Sequence, residues 1–419
     1  MNKWLHPVTL AIACASLAAA SGLDPAPPGG ERGAPAQVET EVPPDIPERP
    51  FAVPTGLHAI GMTEYRWTDE SRPERFTRDP RDVRSVAVRV WYPARDEGEG
   101  GALYVGDIAE FGEGEDFVSV THVRTHATRD ATPAPGPFPV VVYSHGGGWT
   151  RFTSTFTTEE LASHGYVVVS IDHNGFNKTQ FLPDGSSVAP DALTFPEPTG
   201  DLYSDAVASW GFLDEHVFPE WNADAAFVLD RIETLNAYGP FAGRLDLDRV
   251  GMYGWSFGGA NSIEMSVADE RVKAAIDHDG LLFGVAPTQG TTRPFMLMHS
   301  AAAAETPPLE NPDSIVAFNE SMERLTAAVR ERAAGLRAAS TGDWYDVTIA
   351  GTNHASFSDL PLFIPGAASP GIEPARGHEI INALTVAFFD RYLKGADAPL
   401  LEDPVSVFEE VEAERRVGS

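Results

Sequence analysis

The chain has a single cysteine, Cys14, only four lysines, and no unbroken apolar run of the roughly 20 residues that a membrane span needs. Each scarcity removes a class of protein. Cys14 lies in the first twenty residues, so if they are cleaved the remaining chain has neither a disulfide framework nor a thiol nucleophile. Positive charge is scarce as well: 30 Lys and Arg stand against 61 Asp and Glu, giving a net charge of −31. Long-range repulsion therefore opposes nucleic acid or an anionic membrane surface as a steady partner. The lysines are Lys3, Lys178, Lys273 and Lys394, so arginine carries nearly all the positive charge, a bias without mechanistic content. Apolar side chains are not scarce. At 42% apolar and 10% aromatic, 419 residues can bury a large core, and disorder of the whole chain is excluded.

The N-terminus, MNKWLHPVTLAIACASLAAASG, has one cation at Lys3, a run of small apolar residues, and Ala18-Ala19-Ala20 ahead of Ser21. This is the pattern of a cleaved export signal over residues 1–20, and it predicts a secreted or periplasmic protein. His6 and Pro7 interrupt the run, which argues against a stable membrane span. Ala-Ile-Ala-Cys also offers lipid attachment at Cys14 as an alternative fate, weakened by Ala11 where leucine is usual. Residues 21–50 are rich in proline, glycine and charge and cannot bury enough surface to fold, so they read as a disordered linker. A single domain is expected over 51–419, starting near Phe51.

Val83–Tyr92 (VRSVAVRVWY) alternates apolar and polar residues as a half-buried strand does. From Pro137 the pattern changes to short, wholly apolar runs, each ending in a turn and followed by a helical stretch: FPVVVYSHGGG, TEELASHG, YVVVSIDHNG. Further runs at Val250–Tyr253, Val272–Asp277, Pro294–His299 and Trp344–Ile349 continue it, and a last helix is expected over Pro374–Leu393. Strands without a polar face are buried on both sides, which predicts an α/β fold: a mostly parallel central sheet flanked by helices.

Gly254-Trp255-Ser256-Phe257-Gly258 stands where one of these strands meets a helical stretch. It matches G-x-S-x-G, the nucleophile elbow, whose glycines leave room for a sharp turn that exposes the serine hydroxyl at a helix N-terminus. A serine nucleophile needs a base, and the α/β-hydrolase order of serine, acid, histidine selects His354, in the loop Gly351-Thr352-Asn353-His354 directly after the last apolar strand. His278 and His299 also lie near strand ends but precede that strand. Three residues are open as the acid: Asp277, Asp279 and Glu305. The loop after the later strand reads His299-Ser300-Ala301-Ala302 with no aspartate, which favours the earlier loop, and Asp279-Gly280 is a turn pair that lifts a carboxylate clear of its strand. His145-Gly146-Gly147-Gly148 follows the first buried strand as the H-G-G-G element of esterases does, so Gly147 and Phe257, the residue after the serine, are the expected oxyanion N–H donors. No G-x-G-x-x-G opens a helix there, and no cofactor is expected. No metal site is expected either: Asp172-His173-Asn174-Gly175 lacks the later ligands of a calcium loop, and Asp246 and Asp248 read as a polar lead into the elbow strand.

Together GWSFGG, DGLLF, GTNH and SHGGG resemble the platelet-activating-factor acetylhydrolase family of secreted α/β-hydrolases, over roughly Val83 to Leu393. The resemblance implies an α/β-hydrolase fold with insertions near the active site, and a triad of Ser256, Asp279 and His354 with Gly147 and Phe257 as oxyanion donors. It further implies metal-free hydrolysis of short acyl groups from a small ester or phospholipid substrate. Two departures stand out: Trp255 occupies a position where histidine is common, and the Asp279-Gly280 pair replaces a bulkier sequence. The likeness extends to bacterial polyester hydrolases and dienelactone-hydrolase-like proteins, so a polyesterase or lipase is an alternative. A silent hydrolase fold used for binding is the non-enzymatic alternative. Trp149 and Trp255 are expected to narrow the substrate pocket, and the aromatic segment Asn174–Trp221 to roof it. The stripe Ile315, Phe318, Met322, Leu325 and Val329 reads as the core-facing side of a helix rather than a lipid-binding one.

Overall fold

The computed structural model describes residues 46–77, 79–95, 100–106, 120–175, 180–181, 187–188, 195–301, 312–364 and 366–418. The expected export segment, Cys14, most of the expected linker and Glu305 lie outside the described residues.

One ten-stranded sheet organises the chain. Its N-terminal part is an antiparallel ribbon of β1 (Ala59–Pro73) and β2 (Val83–Ala94), with β3 (Thr128–Arg129) beside β1. Then come β4 (Phe138–Ser144), β5 (Val167–Ile171), β6 (Leu245–Trp255), β7 (Val272–His278), β8 (Phe295–Ser300) and β9 (Trp344–Ile349). These six run parallel to one another, β5 pairs antiparallel with β2, and β10 (Val411–Arg416) closes the far edge antiparallel to β9. The spatial order is β10-β9-β8-β7-β6-β4-β5-β2-β1-β3.

The runs are buried on both faces as expected of a parallel sheet, except Trp344–Ile349, whose Trp344, Asp346 and Thr348 are only half-buried next to the edge strand β10, and alternate residues feed two separate cores. Val141, Tyr143, Val168, Tyr253 and Ile276 pack under α1 (Thr155–Ser163) and the C-terminal helix Pro374–Lys394. Val140, Val142, Val169, Val250 and Met252 face the opposite side, against a helix at Phe218–Ala237. In chain order the remaining long helices are α2 (Leu202–Phe212), α3 (that of Phe218–Ala237), α4 (Phe257–Ala268), α5 (Pro312–Ala339) and α6 (that of Pro374–Lys394). Pro374 opens α6 at its first position, where a missing N–H costs nothing, and Gly395 ends it with φ 66°. On α5, Leu325 is buried, with Met322 and Val329 packed beside it, so this part of the stripe faces the core.

Three local features depart from the sequence expectation. β2 is not half-buried: flanked by β1 and β5, it is enclosed from Val86 onward, and its polar positions Arg84 and Arg89 are buried too. Arg84 donates to Asp224 at 2.6 Å and Glu74 at 3.0 Å, and Arg89 to Glu64 at 2.9 Å, so polarity there marks buried ion pairs rather than solvent. β1 and β10 carry too much charge to read as strands, yet each finds a partner at the end of the sheet. The segment Asn174–Trp221, which carries no helical or strand pattern in sequence, is helical from Leu202, with α2 running into α3 through a π-turn at Leu213–Val217. Pro219, lacking an N–H for the carbonyl four residues back, makes a wider turn there a local solution.

Breaking the Arg84 pairs takes the guanidinium away from Glu74 and leaves Asp224 with Arg72 alone in a dry interior, and removing one partner of a buried pair costs about 3–5 kcal/mol. Arg84→Met is therefore expected to lower the urea midpoint strongly, while Arg81→Met, whose exposed pair with Asp79 contributes little, leaves it unchanged. Equal midpoints for the two variants would contradict this account.

Candidate active site

Because the six central strands run the same way, the loops leaving them open on one edge of the sheet. His145–Gly148 follow β4, Ser256 follows β6, Asp279 follows β7 and His354 follows β9. Ser256 sits on the turn between β6 and α4 with φ 60° and ψ −121°, a conformation that non-glycine residues rarely adopt. Its N–H donates to the carbonyl of His278 at 2.8 Å, holding the turn to β7. Glycine is required on either side of it. A Cβ on Gly254 would overlap the carbonyl of Gly258, and one on Gly258 would overlap the carbonyl of Ser144, so the elbow, α4 and the end of β4 are in backbone contact.

His354 Nε2 lies 3.0 Å from Ser256 Oγ, and its Nδ1 lies 2.8 Å from Asp279 Oδ2. Since a carboxylate only accepts, Nδ1 carries the imidazole proton and Nε2 is left as the acceptor facing the serine hydroxyl. All three side chains are buried. Asp279 itself has φ 57°, and its carboxylate also accepts the N–H of Ser300 at 2.8 Å and the Ser300 hydroxyl at 3.0 Å. Asp277 turns away from His354: its Oδ1 accepts the N–H of Gly280 at 2.8 Å, and burial pushes its carboxyl up to about 7. His278 bonds Thr385 at 3.1 Å and His299 pairs with Asp346 at 3.2 Å, so their rings are engaged elsewhere.

The remaining expected site residues surround this line. Trp255 is buried and donates its indole N–H to the carbonyl of His354 at 3.0 Å, with the two rings 5.2 Å apart. Trp149 is buried with its ring 6.2 Å from that of Trp255. Phe257, the first residue of α4, is buried among Phe218, Trp221 and Phe283, with ring centroids 5.4, 4.7 and 5.1 Å away. Gly147, on the loop after β4, is half-buried. Among the described residues no group of three His, Cys, Asp or Glu side chains could hold a metal ion, and no helix is long and apolar enough to cross a membrane.

Three supporting residues were not singled out by sequence. Ser300 holds Asp279 from the end of β8, whose following loop carries no aspartate at His299–Ala302. Asn353 accepts the N–H of Ser356 at 3.0 Å and fixes the short helical turn that begins with His354. Asp359 accepts the N–H groups of Thr155 at 2.8 Å and Phe156 at 3.1 Å, tying the His354 loop to the start of α1. The N-x-x-S capping pattern at Asn353 was a readable signal; Ser300 and Asp359 act only across the fold.

A family model described as platelet-activating factor acetylhydrolase, isoform II, matches residues 55–181 and 233–398. The chain is 27% identical over 296 residues to a probable 1-alkyl-2-acetylglycerophosphocholine esterase of Arthroderma benhamiae, covering 65% of each protein. It is 24% identical over 233 residues to a platelet-activating factor acetylhydrolase of Bos taurus, covering 47% of this chain and 50% of the bovine one. The match thus spans less than two thirds of either relative. A solved ferulic acid esterase from Streptomyces cinnamoneus superimposes with a TM-score of 0.64 at 29% identity, covering 86% of this chain and 98% of its own.

Asp277 and Asp359, both buried, have carboxyls pushed up to about 7 by desolvation. In the unfolded chain each loses its proton near pH 4. The stability each contributes is complete below about pH 4 and is lost as pH rises through about 7. Asp277→Asn removes one such titration, so its thermal midpoint is expected to fall less than the parent's between pH 4 and 8. Parallel midpoint curves for the two proteins would contradict the assignment.

Proposed function

The chain belongs to the platelet-activating factor acetylhydrolase, isoform II, family, and from that premise we propose that it is a serine carboxylic ester hydrolase acting on short acyl esters, with the acetyl group at the sn-2 position of a phospholipid as one such substrate. The observation that carries the proposal is the hydrogen-bonded line from Asp279 through His354 to Ser256 on a strained strand-to-helix turn. In this reading His354 Nε2 takes the proton of Ser256 Oγ as the oxygen attacks the ester carbonyl. The N–H groups of Gly147 and Phe257 donate hydrogen bonds to the negatively charged tetrahedral oxygen, and the same imidazole returns its proton to the leaving alcohol. Water then repeats the sequence on the acyl-enzyme. Asp279 holds the tautomer this needs and stabilises the imidazolium.

Export, read from the pattern of residues 1–20, belongs to the same proposal and fits an extracellular or periplasmic ester substrate. A second acyl class is favoured by two observations. The structural likeness to an enzyme named for ferulic acid covers nearly all of that enzyme, and an aromatic cluster of Phe218, Trp221 and Phe283 adjoins Phe257 in this chain.

p-Nitrophenyl esters of rising acyl length, a 2-acetyl phospholipid and methyl ferulate separate the readings. Highest kcat/KM on the acetyl esters is expected; a maximum on long acyl chains would make this a lipase, and one on ferulate would select the aromatic acyl class. Ser256→Ala should lower kcat by roughly 10⁶ and Asp279→Asn by approaching 10⁴, the scales known for serine hydrolytic triads. Undiminished turnover in Ser256→Ala would end the proposal.

A further inference from the structure

His145 is fully buried beside the elbow and has no part in the line from Asp279 to Ser256. Its ring makes two hydrogen bonds: Nδ1 lies 2.7 Å from the carbonyl oxygen of Gly146, and Nε2 lies 3.1 Å from the backbone N of His173. The second contact settles the tautomer. A backbone N–H can only donate, so Nε2 accepts, and the ring proton sits on Nδ1, donated to Gly146. Burial keeps the ring neutral, with its pKa lowered to about 3, although Asp172 Oδ1 lies 4.0 Å from Nε2. The Gly146 carbonyl also accepts the N–H of Trp149 at 3.1 Å. Two donors therefore fix the direction of one carbonyl.

That carbonyl belongs to the peptide that carries the N–H of Gly147. A peptide group is planar and trans, so its C=O and N–H point in opposite directions and turn together. Fixing the Gly146 oxygen fixes where the Gly147 N–H aims. The loop lies against the elbow, with Gly146 abutting the Trp255 indole and the His145 carbonyl in contact with Gly258.

We propose that His145 is a positioning residue: by holding the Gly146 carbonyl through its Nδ1–H, it aims the Gly147 N–H at the oxygen of the tetrahedral intermediate. The proposal rests on the ester-hydrolase reading above. The ring is itself braced from behind. His173, whose backbone N–H donates to His145 Nε2, stacks its ring on Trp221 at 4.1 Å, donates from Nδ1 to Asp224 Oδ2 at 3.2 Å and accepts the Ser144 hydroxyl at Nε2, 2.9 Å away. Asp224 is in turn clamped by Arg84. The buried ion pairs of β2 thus end, two side chains later, at an oxyanion donor.

Asparagine and glutamine separate the two ring bonds, because Asn places an N–H near Nδ1 while Gln places an oxygen near Nε2. His145→Asn keeps the donor to Gly146; His145→Gln keeps the acceptor for His173 and drops that donor. With p-nitrophenyl acetate, His145→Gln is expected to lose about 10²-fold in kcat with KM unchanged, the scale of a misplaced oxyanion donor. The rate at which an organophosphonate labels Ser256 should fall in parallel. His145→Asn should stay within about tenfold of the parent, well short of the loss of a donor. Equal losses in the two variants, or none in His145→Gln, would overturn the proposal and leave the ester-hydrolase reading standing. A parent protein that hydrolyses no ester and takes no label would overturn both. Long-range ¹H–¹⁵N spectra of the unsubstituted protein give a check independent of variant folding: His145 should be the Nδ1–H tautomer, and an Nε2–H tautomer would overturn the proposal.

Discussion

Everything at the candidate site depends on one tight contact, the backbone of the β6–α4 turn against the ends of β4 and β7. Ser256 is held at φ 60° by the His278 carbonyl on one side and by glycine-only contact with Ser144 on the other. Such a conformation costs about 1–3 kcal/mol and persists only where its surroundings over-determine it. Here the surroundings are six parallel strands, five of them buried on both faces over their central residues, whose packing supplies the offset and whose shared direction brings the loops carrying His145, Asp279 and His354 to the same edge. Asp279, itself at φ 57°, is a second strained point on that edge, held by Ser300.

A different kind of interaction secures the N-terminal half. Arg84 and Arg89 project from a buried strand, and each is met by carboxylates from elsewhere in the chain: Glu74 and Asp224 for the first, Glu64 for the second. Arg151, just beyond the loop after β4, shares Glu64 and pairs with Asp172 at the end of β5. Apolar packing would tolerate small slips between β1, β2 and α3, whereas forked guanidinium–carboxylate pairs in a dry interior do not. The ribbon at the edge of the sheet is thereby locked to the segment that leads into the active-site edge.

The family match passes over residues 182–232, which hold α2, the π-turn and the start of α3. Phe218 and Trp221 from this stretch pack on Phe257, the residue after the serine. Asp214 of the π-turn accepts the N–H of Gly284 at 2.8 Å, in the loop that follows Asp279. The loops carrying Ser256, Asp279 and His354 thus fall in the part shared with the family, and Phe218 and Trp221, the buried aromatic residues packed behind Phe257, fall in a part that is not.

The sequence by itself determined the parallel core, because short Val-rich runs bounded by turns and alternating with helical stretches are the pattern of strands buried on both faces. It also marked Ser256, His354 and the His145–Gly148 loop, because glycine at fixed offsets from a serine or after a strand has a local steric cause. Asp279 could be favoured but not separated from Asp277 and Glu305, since three carboxylates near strand ends look alike until direction is known. Tertiary structure alone decided that Asp279 faces His354 while Asp277 turns to Gly280. It alone turned the polar positions of β2 inward, where alternation had implied solvent, because the partners of Arg84 lie up to 140 residues away in the chain. Local patterns record what a residue's neighbours in sequence require of it; ion pairs, braced carbonyls and a serine standing where an aspartate was expected depend on residues that only folding brings together.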